Sequence, residues 1–529
     1  MRMKVQRRLH DFLLNPAYPQ ESDRPAVIAD GRTYTHAQLT QQAQRLARFL
    51  RNVGVERGDR VAILLENSWA SAVSIYGILI AGGVFVPINP QTKTDKLSFI
   101  LTDSGASVLI VEHGLDHIVA PALDKLAHPL TLLCVGTTDP HSHLQFTVEI
   151  ERAEPLLEAA PTIPLDLAAL IYTSGSTGDP KGVMQTHQSM VFTLGSLIEY
   201  LGLNRDDRVF CTLPLSFDYG LYQLLMTVAL GACLVLERSF TFLGHVLNRL
   251  EETRSTIFPG VPTQFASLVA AHRRSPICLP HITRVTNTAA ALPDEFTALL
   301  RELFPNALIY KMYGLTECKR VSYLPPDMID AKPGSVGKAI PGTEAYLLDP
   351  AGKPTLPGEI GTLYVRGPHI MAGYWNQPKL TRHMLKPGKI PGERVLCTHD
   401  LFRIDNDGFL YFVSRTDDII KTRGEKVSPV EIENVLHRIS GVLEAAVIGI
   451  PNQHSGEAIR AYVVIDSASD LTPQSIRLMS ATLLESHMVP REVLICERLP
   501  RSPNGKIDKR ALSRDPLDSS THHATHPSK

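Results

Sequence analysis

Residues 172–182 constrain this chain more than any other stretch. They read Tyr172-Thr173-Ser174-Gly175-Ser176-Thr177-Gly178-Asp179-Pro180-Lys181-Gly182. Three glycines, four serine or threonine hydroxyls and one lysine fall within eleven positions. An apolar run over 167–171 leads in, and a helical pattern starts near Ser189. A loop built this way can offer backbone N–H groups, hydroxyls and an ammonium to a polyphosphate. It is not a Walker A loop, because Asp179-Pro180 separates Gly178 from Lys181 and Gly182 follows the lysine. Proline also forbids a helix from starting straight out of the loop. The alternative is a surface turn, since Gly, Ser, Asp and Pro are turn residues.

At 529 residues the chain exceeds what one core serves, so two or more domains are expected. The 53 basic and 54 acidic residues leave a net charge of -1, which argues against nucleic acid or an anionic membrane as main partner. Seven cysteines are scattered without a C-x-x-C pair and read as reduced, buried apolar residues of a cytoplasmic protein. The basic N-terminus has no apolar region behind it, so no secretory signal is expected. Residues 70–88 carry no charge, yet they include Gly82, Gly83 and Pro87. A helix to about Ala81, a turn and the strand 84–86 fit better than a membrane span.

Strand and helix patterns alternate along the chain. Residues 25–35 read as a hairpin around Asp30-Gly31, and Thr35 can cap the helix that follows. Strands are expected at 60–65, 107–111, 207–213, 233–236 and 308–313, with helices among them. The expected fold is layered α/β, a large N-terminal domain over 1–414 with a β-rich subdomain at about 334–414. A small α+β domain follows over 415–512, then a disordered polar tail over 513–529.

Further strings recur in order. Tyr313-Gly314-Leu315-Thr316-Glu317 follows a strand, Thr398-His399-Asp400-Leu401 and Ser414-Arg415-Thr416-Asp417-Asp418 come later, and Ser502-Pro503-Asn504-Gly505-Lys506 lies near the end. With the loop at 173–181, they resemble the ordered signatures of AMP-forming adenylating enzymes. That superfamily includes acyl-CoA synthetases, peptide-synthetase adenylation domains and luciferase. The resemblance runs from about residue 25 to about 512. One position departs from it, His399 standing where the family usually has glycine.

The resemblance implies a two-step ligase. A carboxylate has only oxide to expel, so joining it to the α-phosphate of ATP, with loss of pyrophosphate, supplies a leaving group. Such catalysis needs phosphate charge neutralised and the reactants placed. Thr173, Ser174, Gly175, Ser176, Thr177, Gly178 and Lys181 would then hold the β- and γ-phosphates. Thr316 would touch the α-phosphate, Glu317 would hold Mg2+, and Tyr313 would lie against adenine. Asp400 would bind the ribose hydroxyls, with Arg415 at the ribose or phosphate. Lys506 is the candidate catalytic lysine. Asp417 matches the hinge about which the small domain turns between half-reactions. Gly424 matches a glycine that leaves room for the phosphopantetheine arm of CoA or of a carrier protein.

Tyr222, Asn287, Met312, Arg320 and Val321 match positions that line the acid pocket. Asp218 has two readings. It can pair with a substrate α-ammonium, as in peptide-synthetase adenylation domains, or it can cap the helix 219–230. Three functions stay open: a ligase making an acyl- or aminoacyl-thioester on CoA or a separate carrier protein; an enzyme that stops at or oxidises the adenylate, as luciferase does; and a non-catalytic nucleotide binder. The last is disfavoured by the joint presence of Lys181, Glu317, Asp400, Arg415 and Lys506.

Overall fold

Strands that are apolar on both faces need cover on both sides, and two such sheets dominate the larger of two units, Met1–Tyr411 and Phe412–Lys529. The structure is a computed structural model. It describes residues 6–17, 19–136, 144–173, 180–288, 290, 292–415, 418–422, 425–452, 456–466, 469–502 and 505–514.

The first sheet has nine strands, in the spatial order Lys338–Ala339, Ser322–Leu324, Leu308–Tyr313, Arg284–Asn287, Ile257–Gly260, Arg208–Cys211, Cys233–Leu236, Pro25–Ala29 and Arg32–Thr35. The six from Leu308–Tyr313 to Pro25–Ala29 are parallel. The second sheet has eight, in the order Gly373–Tyr374, Lys181–Thr186, Leu167–Thr173, Val84–Pro87, Arg60–Leu64, Val108–Glu112, Thr131–Val135 and Leu144–Gln145.

One core lies between the sheets. It joins Val61, Ile63 and Phe85 of the second sheet to Val209, Leu234 and Met312 of the first. The helices Trp69–Ile80, His187–Leu201 and Asp218–Leu230 fill it. Ala70 to Ile80 are buried all round, which is why that run carries no charge. No described helix is long and apolar enough to cross a membrane. Period-two alternation covers the outer face of the first sheet. Val209 and Cys211 point to the central core, while Phe210 joins Phe258, Phe265 and Leu300 in the outer one.

Chain order reverses at the strand Arg208–Cys211. The next strand in sequence, Cys233–Leu236, lies on one side of it and Ile257–Gly260 on the other. The helix Asp218–Leu230 enters the central core, while Pro262–Arg274 packs in the outer cluster. Such a switch point opens a crevice beyond the carboxyl ends of the strands, where ligands bind. Asn67 pins the turn there, donating to Leu213 O and accepting from Leu215 N, both at 3.0 Å. The helix then approaches this turn so closely that a Cβ on Gly220 would stand 2.3 Å from Pro214 O.

A small five-stranded sheet follows in the expected β-rich region, with Glu344–Leu348, Ile360–Arg366, Arg394–Ile404 and Leu385–Pro387 adjacent in that order. The second unit has its own sheet and core, the helices Pro429–His437 and Pro473–Ala481 covering strands that include Val442–Asn452 and Gly456–Ile465.

Three expectations change. Cys278 is exposed, so the cysteines are not uniformly buried, although all seven are free. A helix Lys509–Arg514 covers the first two residues assigned to a disordered tail, whose remainder lies outside the described residues. The chain also begins with an unanticipated helix, Leu9–Leu14.

That first helix buries His10 against His187. The two are 0% and 1% exposed, the rings stand 5.4 Å apart edge to face, and Leu9 N–H donates to His187 Nδ1 at 3.2 Å. Burial pushes His10 down to about 3, aided by His187 and Arg8 and opposed by Asp11. Burial likewise pushes His187 down to about 4, aided by Arg8 and opposed by Asp166 and Asp11. Both rings are therefore neutral in the fold, while the unfolded chain takes up protons from about pH 6.5 downward. Stability then falls as pH drops from about 6.5 towards 4. In thermal melts across that range, His10→Leu is expected to lose less than the parent protein. An identical fall in both would contradict this.

Candidate active site

The strands Leu167–Thr173 and Lys181–Thr186 pair antiparallel with Thr173 opposite Lys181, so the two ends of the glycine-rich stretch stand side by side. Ser174, Gly175, Ser176, Thr177 and Gly178 lie outside the described residues. Thr173 and Lys181 are half-buried. The Lys181 ammonium stands 5.7 Å from the centroid of the Tyr374 ring. Tyr172, next to Thr173, donates its hydroxyl to Asp103 at 2.6 Å, which anchors the base of the stretch.

Beside this pair runs the loop 314–320, which carries Thr316 and Glu317. Gln185 Nε2 donates to Thr316 O at 2.8 Å. Ser189 Oγ donates to Gln185 Oε1 at 3.3 Å, and Lys319 Nζ donates to Ser189 Oγ at 2.9 Å and to His369 O at 2.8 Å. A continuous hydrogen-bonded path therefore holds the loop from the buried side. Met371 N–H fixes Glu317 O at 2.7 Å. Tyr374 donates its hydroxyl to Glu317 Oε1 at 2.5 Å. A Cβ on Gly314 would come within 2.2 Å of Lys319 O, which accounts for the glycine of the signature.

Lys319 is 1% exposed and sits in the left-handed region at φ 64°. Burial pushes its ammonium down to about 7, with Cys318 and Asp218 opposing. His369 behind it is fully buried and its ring nitrogens have no partner among the described residues. Burial, then the Lys319 charge, pushes it down to about 3. Sequence reasoning missed Lys319, Gln185, Ser189 and Tyr374. Only the position of Lys319, two residues after Glu317, could have flagged it.

Tyr313 closes the strand Leu308–Tyr313, and its hydroxyl donates to Asp400 Oδ2. The ring meets Phe402 edge-on at 4.8 Å. Asp400 is buried, and its N–H donates to Thr398 Oγ1 at 3.1 Å. His399 takes φ 58°, so the histidine keeps the left-handed backbone that glycine usually supplies. That conformation costs on the order of 1–2 kcal/mol in a residue with a Cβ. Its ring stacks on His383 at 4.5 Å and 8°, and the Cys397 thiol beside it raises its imidazole.

Asp218 is the first residue of the helix Asp218–Leu230, with Phe217 at the N-cap. The capping reading is therefore corrected: Asp218 stands one position inside, in the first turn, where a carboxylate complements the helix dipole. It is 6% exposed. Tyr222 lies one turn on, fully buried, its hydroxyl 3.4 Å from Met190 O. Met312 accepts a hydrogen bond from Tyr200 at its Sδ, and Val321 is fully buried. Arg320 is 3% exposed, and its guanidinium covers the Tyr219 ring at 4.9 Å. Asn287 ends its own strand level with Lys311, and its Nδ2 has no partner among the described residues.

In the second unit Arg415 is exposed, at the end of the strand Leu410–Arg415. Lys506 is half-buried in a tight hairpin. Ser502 N–H donates to Lys506 O at 2.7 Å, and Arg501 bonds Gly505 O at 3.0 Å and Glu444 at 2.6 Å. Asp417 and Gly424 lie outside the described residues.

Comparison with known proteins matches these elements. The model of the AMP-binding enzyme family fits residues 16–375, and that of the AMP-binding enzyme C-terminal domain fits residues 431–506. A feruloyl-CoA synthase from Amycolatopsis is 32% identical, over 92% of this chain and 95% of its own. A long-chain-fatty-acid–CoA ligase of Bacillus subtilis is 29% identical, over 95% and 93%. The crystal structure of the anthranilate CoA ligase AuaEII with anthranoyl-AMP superposes with a TM-score of 0.89, at 28% identity over 96% of this chain and 97% of that one. The chain belongs to the AMP-binding enzymes, as an AMP-forming ligase that joins an acid to CoA through an acyl-adenylate.

Proposed function

We propose that this ligase uses the residues described above in the following roles. The two ends of a nucleotide site flank the start of the loop 314–320. Tyr313 and Asp400 form the adenosine end, and Glu317, with Tyr374 and Lys181 near it, forms the phosphate end. The observation that carries this reading is the grip of a tyrosine hydroxyl on each of the two carboxylates, Tyr313 on Asp400 and Tyr374 on Glu317. A carboxylate has lone-pair sites for more than one donor, so a tyrosine can orient it while ribose hydroxyls or a cation also bind. No cluster of three or more His, Cys, Asp or Glu side chains that could hold a metal occurs among the described residues. That fits Mg2+, which binds through one or two carboxylates plus substrate phosphates. Glu317 would hold it, and the ion would neutralise phosphate charge.

In the first step an oxygen of the acid attacks the α-phosphorus. The bond to the β-phosphate oxygen breaks, and pyrophosphate leaves with that electron pair. Lys506 supplies an ammonium to the charge that grows in this transition state. In the second step the thiol of CoA loses its proton and attacks the acyl carbon, and AMP departs. A second reading loads an amino acid onto a separate carrier protein. The buried carboxylate of Asp218 favours it, since an α-ammonium would pair there. The seven free cysteines support a reducing, cytoplasmic setting.

Pyrophosphate exchange and thioester formation, measured over fatty, aryl and amino acids with and without CoA, separate the two readings. Lys506→Ala is expected to lower exchange by roughly 10²–10³-fold in a protein that melts normally. Exchange at the parent rate would remove Lys506 from the reaction. Gly424→Leu is expected to spare exchange and block thioester formation; equal loss of both activities would count against that role.

A further inference from the structure

The end of the loop 314–320, just before the strand Ser322–Leu324, places a permanent charge where the acid pocket is expected. Arg320 is 3% exposed. Its Nη1 donates to Lys319 O at 2.7 Å, while its buried Nε has no partner among the described residues. No described carboxylate forms an ion pair with it. Asp218, the nearby buried acid, acts electrostatically on Lys319.

The walls around the guanidinium are phenols. Tyr219 lies under it at 4.9 Å, and Tyr200 offers it a hydroxyl. Burial raises the phenols of Tyr200, Tyr219 and Tyr222, so none of them becomes phenolate near neutral pH. A guanidinium keeps its proton under all ordinary conditions. A buried charge without its counter-charge is costly, and a buried donor without an acceptor adds to that cost. No described residue answers that Nε, which leaves a place for an oxygen of the substrate.

We propose that Arg320 is a specificity-determining residue that receives a second anionic oxygen group, a carboxylate or an acidic hydroxyl, at the far end of the acid substrate. Plain alkyl acids leave the guanidinium buried and unanswered. Acids with a second oxyanion supply what the planar fork accepts. This rests on the adenylation reading above and extends it to the class of acid.

The test uses matched pairs: adipate against hexanoate, and isophthalate against benzoate. Pyrophosphate release is followed for the full chain and for Arg320→Met and Arg320→Lys. The parent enzyme is expected to favour the first member of each pair, which carries the second oxyanion, in kcat/KM, and Arg320→Met to shrink that preference by about 10- to 100-fold. Arg320→Lys, which keeps charge without the fork, falls between. A parent preference for the plain acids, or an equal loss on both members of each pair, overturns the proposal.

A second arm does not need turnover. In a Lys506→Ala background, adipate or isophthalate with ATP should raise the melting temperature, and adding Arg320→Met should abolish that shift. If no acid releases pyrophosphate, the adenylation reading fails, and this arm alone decides Arg320. Absence of any shift, or a shift that survives Arg320→Met, then overturns the proposal.

Discussion

The ammonium of Lys319 holds the nucleotide loop in place. It lies beneath the loop 314–320, bonded to Ser189 and His369, and the path continues through Gln185 to the carbonyl of Thr316. In the proposed roles, a loop that presents Thr316 and Glu317 to phosphates gains from having its shape fixed before the reaction. Preorganised donors and carboxylates avoid that reorganisation. The same loop is tied on its other side by Met371 and Tyr374. Its anchors come from the second sheet (Gln185 and Tyr374), from the helix His187–Leu201 (Ser189) and from the segment 369–371.

Charge is buried here in an unusual concentration. Asp218, Lys319 and Arg320 are each at least nine-tenths buried, and none of the three belongs to the nucleotide signatures. Lys319 lowers its cost by giving up its proton readily. Arg320 has no such route. On the proposal above, the acid pocket would differ from one built for a hydrocarbon chain, even though a fatty-acid ligase is among the relatives. Fold and phosphate chemistry are shared across the family, while the choice of acid rests with local side chains.

Much of this was readable from the sequence. Alternating apolar patterns gave the sheets, and the strands Cys233–Leu236 and Leu308–Tyr313 fall where the pattern puts them. The uncharged run at 70–88 is a buried helix, a turn at Gly82 and the strand Val84–Pro87, because its glycines and proline break any span. Thr35 caps its helix as its position implied. What escaped the sequence depends on distant residues meeting. Nothing in the string Cys318-Lys319-Arg320-Val321 tells a buried cation from a solvated one. His10 and His187 are 177 positions apart and pair only once the helices pack. The helix start at Asp218 differs from expectation by one residue, because Phe217 rather than the acid takes the cap.

The central claim is that the acid's own oxygen bonds to the α-phosphorus of ATP before any thiol attacks. An acid labelled with 18O in its carboxylate, turned over with ATP and CoA, follows that oxygen directly by mass spectrometry of the products. The account predicts one labelled oxygen in AMP per thioester formed, with pyrophosphate unlabelled. Label in pyrophosphate or in free phosphate, with AMP unlabelled, would contradict it.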